Sequence, residues 1–74
     1  MLVKDYTGRQ LIFGPNSGER GLTVLDVATG IKYFVTGPEE SSIPRAVRVQ
    51  THLSWRYFTI SKTMWNRAVK MYLG

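Results

Sequence analysis

Residues 22–36 have the sequence LTVLDVATGIKYFVT, and this stretch decides the fold. Its two halves, residues 22–27 and 31–36, are rich in β-branched and aromatic residues, which favour strands. Between them, Asp26 can accept a hydrogen bond from the backbone two residues on. Gly30 can adopt the left-handed conformation that closes a type I turn with a bulge. The stretch therefore predicts a β-hairpin.

Shorter strands are predicted before this hairpin. Residues 2–6 and 10–13 flank a tight turn at residues 7–9, which contains a glycine. Residues 14–21 have the composition of a loop, with three glycines and one proline. This loop does not match a phosphate-binding P-loop, because Glu19 and Arg20 follow Gly18 where that motif has lysine and then serine or threonine.

After the hairpin, residues 37–44 (GPEESSIP) are predicted to form a second long loop. Residues 45–51 alternate between apolar and polar side chains and are predicted to form a strand. A short helix at residues 44–49 is the alternative, since proline is favoured at a first helical position. Residues 53–60 are rich in aromatic residues and are predicted to form the last strand.

The C-terminal segment is predicted to be an amphipathic helix. Ser61 is a suitable N-cap, and residues 62–73 contain neither glycine nor proline. At 100° per residue one stripe carries Met64, Trp65, Ala68, Val69 and Tyr72. The chain is therefore predicted to be a single α+β domain over residues 1–74. Its expected architecture is a small antiparallel sheet of five or six short strands with the helix packed on it.

The last predicted strand has two apolar faces, and the sequence does not choose between them. Trp55 and Tyr57 lie on one face, and Phe58 and Ile60 lie on the other. If Trp55 and Tyr57 face the helix, only a basic surface remains for binding. If Phe58 and Ile60 are buried instead, Trp55 and Tyr57 are exposed.

The charge of the chain is distributed unevenly. Its 74 residues carry a formal net charge of +5. Residues 1–40 contain all five acidic residues and have a net charge of −1, whereas residues 41–74 contain no acid and have a net charge of +6. This asymmetry indicates an electrostatic partner for the C-terminal half, either nucleic acid or an acidic protein surface.

The candidate binding residues follow from this basic half, in which cations alternate with aromatic residues. Such a mixture suits stacking against bases together with phosphate contacts, or contact with an acidic protein surface. The predicted partner-binding residues are Arg45, Arg48, Arg56, Lys62, Arg67, Lys70, Trp55 and Tyr57.

Catalysis, cofactors and metals find little support in the sequence. The chain has no cysteine and a single histidine, His52, which we interpret as structural or exposed. Glu39 and Glu40 are adjacent in sequence, so their carboxylates are expected to point apart and to stay solvated rather than to face each other across a cleft. We therefore expect no enzymatic activity, no cofactor and no metal site.

The N-terminal charges and the lack of a long apolar run favour a cytoplasmic protein without a membrane segment. The absence of cysteine agrees with a reducing compartment. A monomer is favoured over a dimer, although an edge strand of so small a sheet could pair with another chain.

A short, basic, cysteine-free chain with a hairpin-rich sheet and a closing helix resembles the small regulators that lytic bacteriophages produce to bind host RNA polymerase. The resemblance lies in these overall features and in no motif, so it assigns no residue. It implies a non-enzymatic regulator of transcription of the inhibitor or antiterminator type, whose basic half meets acidic polymerase surfaces in the host cytoplasm. The alternative is a nucleic-acid-binding module that contacts phosphates with arginine and lysine and stacks bases on strand aromatics.

Overall fold

The secondary structure is a six-stranded antiparallel meander followed by one helix. The computed structural model describes residues 1–16 and 21–74, without the side chains of residues 41–43. Within these residues each strand pairs with the next in chain order. The elements are β1 (Leu2–Lys4), β2 (Gln10–Pro15), β3 (Leu22–Asp26), β4 (Lys32–Ile43), β5 (Ala46–Thr51), β6 (Ser54–Phe58) and α1 (Lys62–Tyr72). The predicted α+β class is confirmed.

The β3–β4 turn forms as its sequence predicts, whereas the β1–β2 turn begins earlier than predicted, because β1 ends at Lys4 rather than at residue 6. In the β3–β4 turn, Asp26 Oδ1 accepts from the Ala28 amide at 3.0 Å. The Gly30 amide donates to the Asp26 carbonyl at 2.8 Å, and Gly30 has φ +73°. Gly8, in the β1–β2 turn, has φ +88°. Of the loop predicted over residues 14–21, Gly14 and Pro15 belong to β2, and residues 17–20 lie outside the described residues.

The loop predicted over residues 37–44 is wrong, because β4 continues to Ile43. The extra length pairs with β5 through two register shifts, one between Val35 and Glu39 and one between Glu40 and Ile43. Such irregularities accept a proline, which has no amide hydrogen to donate to the ladder. A Cβ atom on Gly37 would lie 3.2 Å from the Gln50 Cβ, so the Gln50 side chain would have to shift to accommodate a side chain at position 37.

The strand predicted over residues 45–51 is confirmed as β5, and the alternative helix at residues 44–49 is wrong. The last strand is shorter than predicted, because a turn at His52 and Leu53 joins β5 to β6. The Thr51 hydroxyl supports this turn by donating to the Ser54 carbonyl at 2.8 Å and accepting from the Leu53 amide at 3.2 Å.

The sheet curls until its two ends meet. The Tyr6 amide, just after β1, donates to the carbonyl of Thr59, just after β6, at 3.1 Å. The Thr59 hydroxyl donates to Asp5 Oδ2 at 2.5 Å. We call Asp5, Tyr6 and Thr59 the clasp. The curled sheet therefore has an inner face, which surrounds the core, and an outer face.

The helix packs on the inner face as its apolar stripe predicts. Trp65 is 1 % exposed, packs edge-on against Phe13 and stacks on Phe58. Ser61 is the N-cap and accepts from the Met64 amide at 3.2 Å. The buried core consists of Val3, Leu11, Phe13, Leu22, Val24, Val47, Val49, Phe58, Ile60, Trp65 and Ala68.

Candidate binding surfaces

The orientation of β6 decides which of its aromatic residues are available for binding. Phe58 and Ile60 are buried in the core. Trp55 and Tyr57 therefore point to the outer face, where Tyr57 is 60 % exposed and Trp55 is partly covered. Of the two arrangements that the sequence left open, the protein adopts the one that exposes Trp55 and Tyr57.

Arg48 lies beside these two aromatic side chains, on the neighbouring strand β5. It lies opposite Tyr57 in the β5–β6 ladder, and its guanidinium lies 4.4 Å from the centre of the Trp55 ring. On its other side, Arg48 forms an ion pair with Glu40 of β4 at 2.9 Å. One face of the Trp55 ring is thus already covered by a cation, which is itself neutralised by an acid.

Phe34 and His52 extend this surface across β4. Their rings lie 4.7 Å apart, and both side chains are exposed. Phe34 was not predicted as a site residue: the alternation in residues 31–36 separates Tyr33 from Phe34 but does not say which of the two faces solvent. We call the set Phe34, Glu40, Arg48, His52, Trp55 and Tyr57 the outer aromatic face.

The other predicted site residues lie elsewhere. Arg45 is exposed, and its guanidinium lies 5.0 Å from the centre of the Tyr6 ring. Lys62, at the start of α1, forms an ion pair with Glu39. Arg67 and Lys70 are exposed on the side of α1 that faces away from the sheet. The sheet therefore separates the helix cations from the outer aromatic face.

The ion pairs neutralise part of the positive charge that the sequence places in residues 41–74. Glu39 and Glu40 do point apart as predicted, but both bind cations, and Glu39 is half-buried rather than fully solvated. They belong to the acidic half of the sequence, yet the β4–β5 pairing places them beside the basic half. The positive surface of residues 41–74 is consequently smaller than the residue count indicates.

A cleft of about 180 Å³ opens on the inner face at the clasp. Arg56 lines this cleft with its guanidinium 5.9 Å from the centre of the Tyr33 ring, so this predicted site residue lies on the opposite side of β6 from Trp55 and Tyr57, where its side chain is exposed. Asp26, which is 5 % exposed, also lines the cleft and pairs with Arg9 at 3.2 Å.

Asp5 forms the rim of this cleft and is held ionised. Burial raises the pKa of its carboxyl, but hydrogen bonds from the Thr59 and Thr7 hydroxyls and from the Arg9 and Thr7 amides outweigh burial. The pKa of Asp5 is therefore below its ordinary value.

Among the described side chains, no three histidine, cysteine, aspartate or glutamate residues come close enough together to hold a metal ion. No helix in residues 1–16 and 21–74 has the length and apolar character needed to cross a membrane. In comparisons with known proteins, no family model, curated protein or solved structure matches this chain.

Proposed function

We propose that this chain is a small non-enzymatic regulatory protein that binds a protein partner through the outer aromatic face. The partner we propose is the transcription machinery, specifically host RNA polymerase, whose activity the bound chain modulates. The proposal combines the character of one surface with the resemblance of the whole chain to phage-encoded polymerase regulators.

The composition of the outer aromatic face is the observation that carries the proposal. Tryptophan, tyrosine and arginine are the residue types that most often dominate the binding energy of protein interfaces. Here Trp55, Tyr57 and Arg48 adjoin one another on two neighbouring strands. Arg48 is already fixed against Trp55 and by Glu40, so it loses little conformational freedom when a partner covers it.

Nucleic acid suits this surface less well. Base stacking needs an open ring face, whereas Arg48 covers one face of Trp55. Glu40 places an acid where phosphates would approach, and its pairing with Arg48 cancels a charge that they need. Arg67 and Lys70, two cations that have no acidic partner among the described residues, lie on the far side of the helix from the sheet.

An acidic surface on the polymerase would complement the net positive charge that this chain keeps after its ion pairs are counted. The chain as a whole carries a net charge of +5. Such a charge speeds association with an acidic partner through long-range attraction, while apolar and aromatic contacts hold the complex. The choice of polymerase in particular rests on the resemblance in size, composition and architecture.

Direct binding to purified bacterial RNA polymerase, treated with nuclease, tests this function. We expect a complex that survives nuclease treatment. Tyr57→Ala should weaken it by at least about tenfold, because a central aromatic side chain is lost. Met71→Ala is the matched control, since Met71 is 59 % exposed on the helix while Tyr57 is 60 % exposed on the sheet.

Two results would reject the proposal. The first is the absence of any complex between the wild-type chain and the polymerase. The second is a complex that nuclease abolishes, which would favour the alternative of a nucleic-acid-binding module.

A further inference from the structure

The inner face of the sheet is apolar towards the helix and polar at the clasp end. Towards the helix it carries the apolar core, but at the clasp end the inward positions carry Asp26 on β3, Tyr33 on β4 and Arg56 on β6. Arg56 is paired across the ladder with Val49, a fully buried core residue. The Arg56 side chain is itself exposed, so its guanidinium lies at the open mouth of the cleft, where a ligand can reach it.

The acids of this cleft have their oxygens occupied. Asp5 accepts four hydrogen bonds, from Thr7, Arg9 and Thr59. Asp26 accepts from the Ala28 amide with Oδ1 and pairs through Oδ2 with Arg9. The groups of the cleft that can still form hydrogen bonds are therefore mainly donors.

Arg56 contributes a guanidinium to these donors. One of its terminal nitrogens donates to the Trp55 carbonyl at 3.2 Å, and its guanidinium lies over the Tyr33 ring. Among the described residues, no carboxylate forms an ion pair with Arg56. The other N–H groups of the guanidinium take no part in these contacts and stay available.

We propose that this cleft binds one carboxylate group, supplied by an acidic side chain of the protein partner and received by Arg56. The inference rests on the proposed function and adds to it one contact, between Arg56 and a carboxylate of the partner, which we call the anchor. A guanidinium suits a carboxylate because its parallel N–H groups match the two oxygens. Tyr57 lines the cleft and also belongs to the outer aromatic face, so the two surfaces adjoin at β6.

The charges that line the cleft favour a single negative charge over a double one. The guanidinium groups of Arg9 and Arg56 balance the carboxylates of Asp5 and Asp26. A carboxylate then adds one charge beside two ionised acids, whereas a phosphate dianion adds two. Inorganic phosphate is for this reason the appropriate competitor in the test.

The test is an amide-resolved NMR titration of the wild-type chain at constant ionic strength. The probes are the blocked peptides acetyl-Gly-Glu-Gly-amide and acetyl-Gly-Gln-Gly-amide, and inorganic phosphate. We expect the glutamate peptide to shift the signals of Arg56, Tyr57 and Thr59 in a saturable manner. The glutamine peptide and phosphate should produce smaller shifts that do not saturate.

Three variants assign the binding to Arg56. Arg56→Gln should weaken binding of the glutamate peptide by at least about tenfold, through loss of a charge-assisted hydrogen bond. Arg67→Gln removes the same charge from the exposed side of the helix and should leave the titration unchanged. Arg56→Lys keeps the charge but loses the planar fork, so its affinity should fall between those of the wild type and Arg56→Gln. The amide spectrum of each variant shows whether it is folded.

Several outcomes would overturn the proposal. Equal shifts with the glutamine peptide would mean that the carboxylate is not recognised. Equal weakening by Arg67→Gln would mean a general charge effect, and saturable phosphate binding alone would identify a phosphate site instead.

The proposed function fails in a different way. If polymerase binds Arg56→Gln as well as it binds the wild type, the anchor is wrong and the proposed function stands. If the glutamate peptide binds but polymerase does not, the cleft stands and the proposed partner is wrong.

Discussion

The Phe34 amide donates to Nδ1 of His52 at 3.0 Å, and the His52 amide donates to the Phe34 carbonyl at 2.9 Å. This reciprocal pair joins β4 to the turn after β5. It lies next to the Val35–Thr51 pair, after which the register of the ladder shifts. The only histidine of the chain thus replaces a backbone acceptor in the β4–β5 connection.

We expect His52→Ala to lower the free energy of unfolding by about 1 kcal/mol, because the Phe34 amide loses its acceptor. Amide hydrogen exchange at Phe34 should accelerate in this variant. Urea unfolding and exchange measured by NMR test the two effects. His52→Asn is the control, since its side-chain oxygen can accept in place of Nδ1. Unchanged exchange at Phe34 in His52→Ala would contradict the assigned role.

We expect the loss of the Trp65 side chain to lower the free energy of unfolding more than the loss of any other side chain. Trp65→Ala should lower the free energy of unfolding by about 3–5 kcal/mol, because it leaves a cavity between Phe13 and Phe58. Trp55→Ala deletes the same atoms from the outer aromatic face and should cost much less. Urea unfolding of both variants makes the comparison, and equal losses would mean that Trp65 is not the centre of the core.

The hydrogen bonds to Asp5 make stability depend on pH. Its pKa in the folded chain is below the ordinary value of 3.8, so the stabilisation is fully present above that unfolded-state pKa. It is lost as the pH falls through the lower pKa of the folded state. Asp5→Asn should therefore be less stable than the wild type at neutral pH, and the difference should shrink at about pH 3.

Urea unfolding at the two pH values tests this prediction. Thr59→Val is a second probe, because it removes the hydroxyl that donates to Asp5. A cost of Asp5→Asn that does not change with pH would show that the carboxylate charge contributes nothing.

Removing the charge of Glu40 separates the two proposed classes of partner. Glu40→Gln frees Arg48 from its ion pair and adds one positive charge to the outer aromatic face. If the partner is a protein that recognises the aromatic residues, we expect that neither the wild type nor the Glu40→Gln variant binds duplex DNA with a steep dependence on salt. A log–log salt slope of about −4 to −5, as for five phosphate contacts, would contradict this and favour the nucleic-acid module. Fluorescence polarisation across a salt series measures the slope.

Local sequence patterns were sufficient to predict the β3–β4 hairpin and the helix. Asp26 and Gly30 determine the hairpin turn through their own hydrogen bonds and backbone conformation. Ser61 and the stripe around Trp65 determine the start and the packed face of α1. In both cases the information lies within a few neighbouring residues, so it could be predicted from the sequence.

The second half of β4 could not be predicted, because its composition is that of a loop. Gly37 and Pro38 disfavour a strand in isolation, and pairing with β5 across two register shifts overrides that preference. The same pairing brings Glu40 to Arg48, which no charge count along the chain reveals. The exposure of Trp55 and Tyr57 was equally undetermined, because both faces of β6 carry aromatic residues.

The clasp has a consequence for the order in which the chain folds. Each strand pairs with its neighbour in sequence, so every ladder closes only a short loop and can form early. The hydrogen bond from the Tyr6 amide to Thr59 instead joins residues 53 positions apart and encloses most of the chain. Closing this longer loop costs more conformational entropy than closing a hairpin, so we expect the clasp to form after the hairpins.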